Sequence, residues 1–530
     1  MLIVFAACGG DTDDSEAGAG AGGAPETDGS GEGGTDVAAD PEASLIFYDA
    51  AGNEHLDPHE ANANSSLSQE QLWAVYDRLV HLTPEGDPIP GLATEWSYND
   101  DLTQFTMTLR EGVKFHDGTP FNADAVVTNL QRQVDLGAQV GATVKNALAF
   151  IASFEAVDES TVTVDLTEPT GQMAFWFSQQ PGMMVSPAAL EGGNVGVDLE
   201  PVGTGPFRVK SFESLGVSVY ERNEDYWDGT EGRPATFEHH YVPEGQARLN
   251  AVQSGQANLA IIDASQIPAA EAAGLEVQIN PQTSLWNIYV NNGKDHPTGD
   301  QKVRQAIMHA IDRDALVDNL TFGSGQSAVQ LFPEGSPVYD EELAGLYPYD
   351  PDKSRELLTE AGFPDGFTLD FILLNNSEYR QLAEAIQQML AEVGITVEFE
   401  IVDIAQGNIF YTPPPRGDVM MARWGGRPDP LMTFQETVGS TGTYSPLGAI
   451  ASPEIDELIA EARVLTPEDP ERLDVIRELN RVVTEQAANF PIMIRSNVFA
   501  YETDCISDLD PYLTAGDDNM NNVKVSEGCG

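Results

Sequence analysis

Basic residues are scarce in this chain. Its 530 residues hold 26 Lys and Arg against 85 Asp and Glu, a formal net charge of −59. A surface this negative repels phosphate backbones over long range, which argues against nucleic acid as a partner. Only seven of the basic residues are Lys. Few Lys and many acids suit a protein facing salty water outside a cell, where screening relieves self-repulsion. Cysteine is equally rare: Cys8, Cys505 and Cys529 form no C-x-x-C pair, which removes zinc-knuckle and thioredoxin-like readings. No run of 18 apolar residues occurs, so no membrane span is expected. Catalytic signatures are missing too, with no G-x-S-x-G, no H-E-x-x-H and no P-loop lysine motif. What is present is an ordinary globular composition, 41% hydrophobic and 8% aromatic, in a chain long enough for two or three lobes.

The first forty residues read differently from the rest. Cys8 follows the apolar run Leu2-Ile3-Val4-Phe5-Ala6-Ala7 and precedes Gly9-Gly10, which resembles a lipoprotein signal box. Phe5 stands where Leu is usual, no Lys or Arg precedes the apolar stretch, and six apolar residues are fewer than a normal signal core. A start codon placed too far downstream accounts for both shortfalls. Cys8 is therefore expected to carry the lipid, residues 1–8 being the remnant of the signal. Residues 9–40 hold ten Gly, nine acids and no base, too little apolar surface to fold, and are expected to be a disordered tether. The formal Gly18-x-Gly20-x-x-Gly23 within it has neither a strand before it nor a helix after it, so it is not a dinucleotide site. Cys505 and Cys529 either pair in an oxidising compartment, closing a C-terminal loop, or remain two free thiols.

From Ser44 onward strands and helices alternate. Residues 103–110 predict a strand, with Phe105, Met107 and Leu109 on one face and Thr106 and Thr108 on the other. Asp117-Gly118 supplies a turn, and Asn122 caps a helix carrying Val126, Val127 and Leu130. Val303, Ile307, Ala310 and Ile311 share a helical face. Asp350-Pro351 opens another helix, with Leu357, Leu358 and Ala361 inward and Gly362 as its stop. A helix over 379–393 ends at Gly394 and feeds an alternating strand of Ile395, Val397, Phe399 and Ile401. Ser452-Pro453 begins one more helix, with Ile455, Leu458, Ile459 and Ala462. The pattern is mixed α/β.

Seven blocks then occur in a recognisable order. They are residues 91–96 (GLATEW) with 103–118 (TQFTMTLREGVKFHDG), 201–207 (PVGTGPF), 223–227 (NEDYW), 302–307 (KVRQAI) with Ala310-Ile311-Asp312, Leu357-Leu358 with 361–366 (AGFPDG), Trp424 with Asp429-Pro430, and 452–456 (SPEID). Together they resemble the family 5 extracellular solute-binding proteins, the dipeptide, oligopeptide and nickel receptors of ABC importers. The resemblance implies an α/β bilobal periplasmic-binding-protein clamshell with an additional third domain, the class of the dipeptide- and oligopeptide-binding proteins. Carried over, lobe I takes 41–75, 200–280 and 490–530, domain II takes 76–199, and lobe III takes 281–489. Asn280-Pro281 and Phe490-Pro491 place a stiff Pro beside each crossing between lobes. The implied partners are a small-molecule or peptide ligand and ABC permease subunits, with the membrane reached through the lipid anchor only, for a monomer lying outside the cytoplasm. The implied solute is a peptide or peptide-like compound. An anionic opine-like compound, an oligosaccharide, a nickel chelate or a ligand-sensing role are the alternatives.

Neither catalysis, a cofactor nor a metal is expected. His116-Asp117 belongs to the structural KFHDG turn. His239 and His240 are adjacent and point to opposite faces of a strand. His55 and His59 have helical spacing, but Pro58 between them breaks a helix. Ligand contacts are expected instead from the stretch Arg423-Trp424-Gly425-Gly426-Arg427-Pro428-Asp429-Pro430. In the peptide-binding relatives an Asp shortly after the Trp pairs with the ligand's ammonium. Here Arg427 stands at about that place, with Asp429 two residues on, and Arg's planar fork suits a carboxylate or phosphate. By the same resemblance Trp286, Asn64 and Tyr444 face the cleft.

Overall fold

The computed structural model describes residues 38–60, 69–191, 201–446, 449, 451–509 and 520–529. Cys8, nearly all of the expected tether and Asn64 lie outside the described residues. Among those described, no helix is long and apolar enough to cross a membrane.

The frame is one 11-stranded sheet in two halves, joined by two long antiparallel strands, Leu275–Val290 and Phe490–Glu502. Toward one edge Ser44–Asp49 runs parallel to both Thr236–Tyr241 and Leu259–Ile261. Toward the other, Phe367–Leu374 runs parallel to Ile395–Val402 and to Val419–Trp424, which pairs with the first long strand. Parallel strands need covered faces, and both faces of this second half are covered. Trp286, Ile288, Val290, Met421 and Met493 face one core with the helices Gln301–Ala310 and Ser377–Glu392. Leu285, Tyr289, Met420, Trp424 and Ile494 face the other with Pro453–Arg463 and Pro470–Glu485.

A separate four-stranded antiparallel sheet runs in the order Ala93–Tyr98, Gln104–Leu109, Thr161–Leu166, Ile151–Ala156, with its own core around Phe105, Met107, Val126, Leu130 and Trp176. Asn122 caps Ala123–Leu136 as read from the sequence, accepting from Ala125 N. The helix after Asp350 and the strand after Gly394 also form where predicted. One position departs from its alternation: Ile401 is 47% exposed, because it lies near the end of the sheet's edge strand. Cys505 and Cys529 are bonded, their Cα atoms 5.5 Å apart.

Candidate functional site

The two long strands cross between the halves with an interruption. Residues 275–281 of the first pair in regular register with 496–502 of the second, and pairing resumes at Leu285↔Ile494. Pro281, lacking an N–H, cannot extend the ladder, and Gln282, Thr283 and Ser284 fall out of register. All three are buried. Gln282 Nε2, Thr283 Oγ1, Ser284 Oγ and the nearby Trp424 Nε1 are buried without a hydrogen-bond partner among the described residues. Each such group costs about 1–3 kcal/mol if left dry and unpaired. Four of them at one crossing therefore mark a place built to meet water or solute. Gly426 seals the arrangement. Its φ is +74°, and a Cβ there would stand 2.2 Å from Thr283 Oγ1, so only glycine lets the segment after Trp424 approach the interruption.

Strand alternation separates residues that are neighbours in sequence. Trp286 is paired with Arg423 and Leu285 with Trp424, so the two tryptophans stand on opposite faces of the sheet. On one face Trp286 meets Tyr379 edge-on at 4.8 Å, and the Arg423 backbone N–H reaches Tyr379 Oη at 3.4 Å. On the other, Trp424 packs edge-on against Tyr444 at 5.3 Å, and Tyr444 against Tyr411 at 5.7 Å and Tyr289 at 6.3 Å. The Arg427 guanidinium lies 4.6 Å from the centre of the Trp424 ring. The structure thus brings together Trp424, Arg427 and Tyr444, and groups Trp286 with Arg423 separately.

The charges of the Arg427–Asp429 segment are engaged within the protein. Arg427 is bidentate to Glu436, with Nη2 to Oε2 at 2.6 Å and Nε to Oε1 at 3.3 Å, and Nη1 donates to Gly426 O. Asn146 Nδ2, from the other side, donates to the same Glu436 carboxylate at 3.1 Å. Asp429 is 0% exposed. Its Oδ1 caps the helix Pro430–Thr437 by accepting from Leu431 N, and its Oδ2 accepts from Gln172 Nε2 at 2.7 Å and Arg472 Nη2 at 2.6 Å. With these donors in place, Asp429 ties three segments together instead of opening onto a ligand.

The other titratable pairs are also structural. His116 Nε2 donates to Gly205 O at 2.9 Å, while Asp117 accepts from Thr119 within its turn and from Ser186 across the fold. His59 is buried, with Nε2–H donating to Met183 O and Nδ1 accepting from Arg132 Nη1 at 2.8 Å. Desolvation, followed by the Arg132 charge, pulls its pKa down to about 4.

On the Trp286 face, beside the crossing, lies a cavity of about 380 Å³. Ala50 and Ser265 line it from one half of the sheet, Trp286, Ser324 and Gln381 from the other, and Arg495 from the second long strand. That volume is within the range of small-molecule sites. Among the described residues Arg495 has neither an ion pair nor a hydrogen bond. In a chain carrying 85 acids, an unneutralised arginine in a cavity is the strongest anion-seeking feature on this face. Sequence reading missed it, since nothing around Arg495 distinguishes it within a strand; only the scarcity of basic residues could have drawn attention to it.

Two halves joined by crossing strands thus leave a solute-sized cavity at the join and buried polar groups without partners among the described residues. Residues 87–445 match the family described as bacterial extracellular solute-binding proteins, family 5 Middle, and the chain belongs to this family. It is 30% identical over 472 residues to the glutathione-binding protein GsiB of Shigella dysenteriae serotype 1, covering 84% of this chain and 88% of that one. Its fold is similar to HbpA2 from Haemophilus parasuis, with a TM-score of 0.78, 24% identity and coverage of 91% and 99% of the two chains. It is also similar to the periplasmic binding protein DppA from Helicobacter pylori in complex with peptide STSA, with a TM-score of 0.76, 23% identity and coverage of 92% and 98%. The fold is the bilobal clamshell, and the chain is an extracytoplasmic substrate-binding protein of the ABC-importer type, not an enzyme.

Proposed function

We propose that this receptor captures peptides or peptide-like solutes bearing a carboxylate and is held to the outer face of the cell membrane by a lipid on Cys8. It works as a monomer that hands its ligand to a permease. Its lobes follow the boundaries read from the sequence: 41–75, 200–280 and 490–530 for lobe I, 281–489 for lobe III, and 76–199 for domain II. The observation that carries the ligand class is the cavity beside the crossing, with Arg495 as its unpaired cation and Trp286 as an apolar wall. Arg495 receives the carboxylate as a charge-assisted bond. Arg423 shares the sheet face of Trp286, whereas Trp424, Arg427 and Tyr444 stand together on the opposite face. The similarity to a protein named for glutathione, a tripeptide with two carboxylates, supports the same class.

Binding works by population shift. A ligand that touches both lobes only when they are closed favours the closed state by its difference in affinity. Native mass spectrometry of gently purified protein should reveal a trapped carboxylate-bearing solute. Saturating short peptides, glutathione among them, should raise the melting temperature by mass action. If neutral sugars stabilise the protein and no free-carboxylate peptide does, the peptide assignment fails.

A further inference from the structure

The sequence offered no metal site, yet the fold assembles one far from any motif. The inner face of Ser44–Asp49 carries Leu45, Phe47 and Asp49, and that of Thr236–Tyr241 carries Phe237 and His239. The two strands are parallel with Phe47 opposite His239, so Asp49 and His239 come together within an apolar layer. The helix Gln69–Val75 covers this face with every residue buried, and it presents Glu70 and Gln71.

His239 Nε2 lies 3.4 Å from Asp49 Oδ2, 3.4 Å from Glu70 Oε1 and 3.5 Å from Gln71 Nε2. The three ligand-type atoms of Asp49, Glu70 and His239 all fall within 4.8 Å of one another. The His239–Asp49 hydrogen bond and the His239–Glu70 ion pair, both 3.4 Å, are long beside charge-assisted contacts, which close to about 2.7–2.9 Å. Both distances fit the edge of a tetrahedron, which is about 3.4 Å for ligand bonds of about 2.1 Å. Glu70 Oε1 is buried with no hydrogen-bond partner and is aimed at the gap. Charge leads the same way. Two buried carboxylates face at most one imidazolium, and no Lys or Arg forms an ion pair with either among the described residues. An uncompensated buried charge is expensive, and a divalent cation removes it.

We propose that Asp49, Glu70 and His239 bind a zinc-class divalent transition ion. One imidazole with two carboxylates is a donor set suited to such ions. Tyr220 Oη donates to Gln71 Oε1 at 2.9 Å, which holds the Gln71 amide beside His239. The ion would clamp the helix Gln69–Val75 to the sheet, one residue from Ala50 at the edge of the solute cavity.

The full chain, stripped with a chelator and titrated with Co²⁺, should take up one equivalent and show the visible absorption of a tetrahedral site. Zn²⁺ should compete for it and raise the melting temperature. His239→Gln and Glu70→Gln should each lose that equivalent. Absence of stoichiometric Co²⁺ uptake by the folded wild-type chain overturns the proposal, as does full uptake by a folded His239→Gln variant. Where neither variant folds, anomalous diffraction at the zinc edge from wild-type crystals decides: a peak bonded to His239 Nε2 supports the site, and one elsewhere overturns it.

Discussion

Replacing Arg427 with Ala separates two roles that one arginine can have. Its guanidinium is held by Glu436 through two bonds and lies over the Trp424 ring, and Glu436 is only 7% exposed. Removing the arginine leaves the carboxylate with Asn146 as its other side-chain donor. Breaking a buried pair from one side costs about 3–5 kcal/mol, because the remaining charge is uncompensated. Loss of the cation–π contact adds roughly 0.5–2 kcal/mol. Arg427→Ala should therefore lower the urea midpoint of the half containing Trp424 markedly, with tryptophan emission as the reporter. Arg427→Met combined with Glu436→Leu should recover most of the loss, since a hydrophobic replacement of both partners is often neutral. A second measurement, calorimetric titration of the folded variant, should show carboxylate-bearing and neutral ligands affected alike. If Arg427→Ala costs under about 1 kcal/mol, the pair is not the buried tie described here. A loss confined to carboxylate-bearing ligands would refute the neutralisation of Arg427 by Glu436.

Two further predictions rest on separate observations. Arg495→Ala should weaken carboxylate-bearing ligands by about 10- to 100-fold, the range of a hydrogen bond to a charged group, and leave the matching C-terminal amides nearly unchanged; equal losses for acid and amide in a titration would remove Arg495 from recognition. His59 sets a pH window. Its folded pKa of about 4 lies below the ordinary 6.5, so the unfolded chain binds the proton first as pH falls. The stability that His59 contributes is complete above pH 6.5 and is lost as the pH drops toward 4, about 3 kcal/mol in all. Chemical denaturation at steps across that interval should show a shallower decline for His59→Asn than for the wild type, and identical slopes would refute the assignment.

The sequence was informative where a signal is local. Asn122 before an apolar-periodic run is a cap wherever the chain goes, and its side chain does accept from Ala125 N. The interruption after Asn280-Pro281 was foreshadowed by the proline. The Trp424, Arg427 and Tyr444 side chains, all from one stretch of chain, do meet. Pairing across the chain was not legible in the same way. Glu436 as the partner of Arg427, and Gln172 and Arg472 as those of Asp429, come from segments 9 to 257 positions away. Many acids were available, and nothing in the order of residues chose among them.

By itself, then, the amino-acid order determined the mixed α/β elements, the family and the acidic extracytoplasmic character. All of these depend on composition or on patterns within a few turns of chain. Only the tertiary structure decided which charges are neutralised. It placed Trp286 and Trp424 on opposite faces through strand register, left Arg495 unpaired in a cavity, and brought His239 to Asp49, 190 positions away, and to Glu70. The physical reason is that electrostatic and hydrogen-bond partners act over a few ångströms in space, and the fold, not the spacing along the chain, sets that distance.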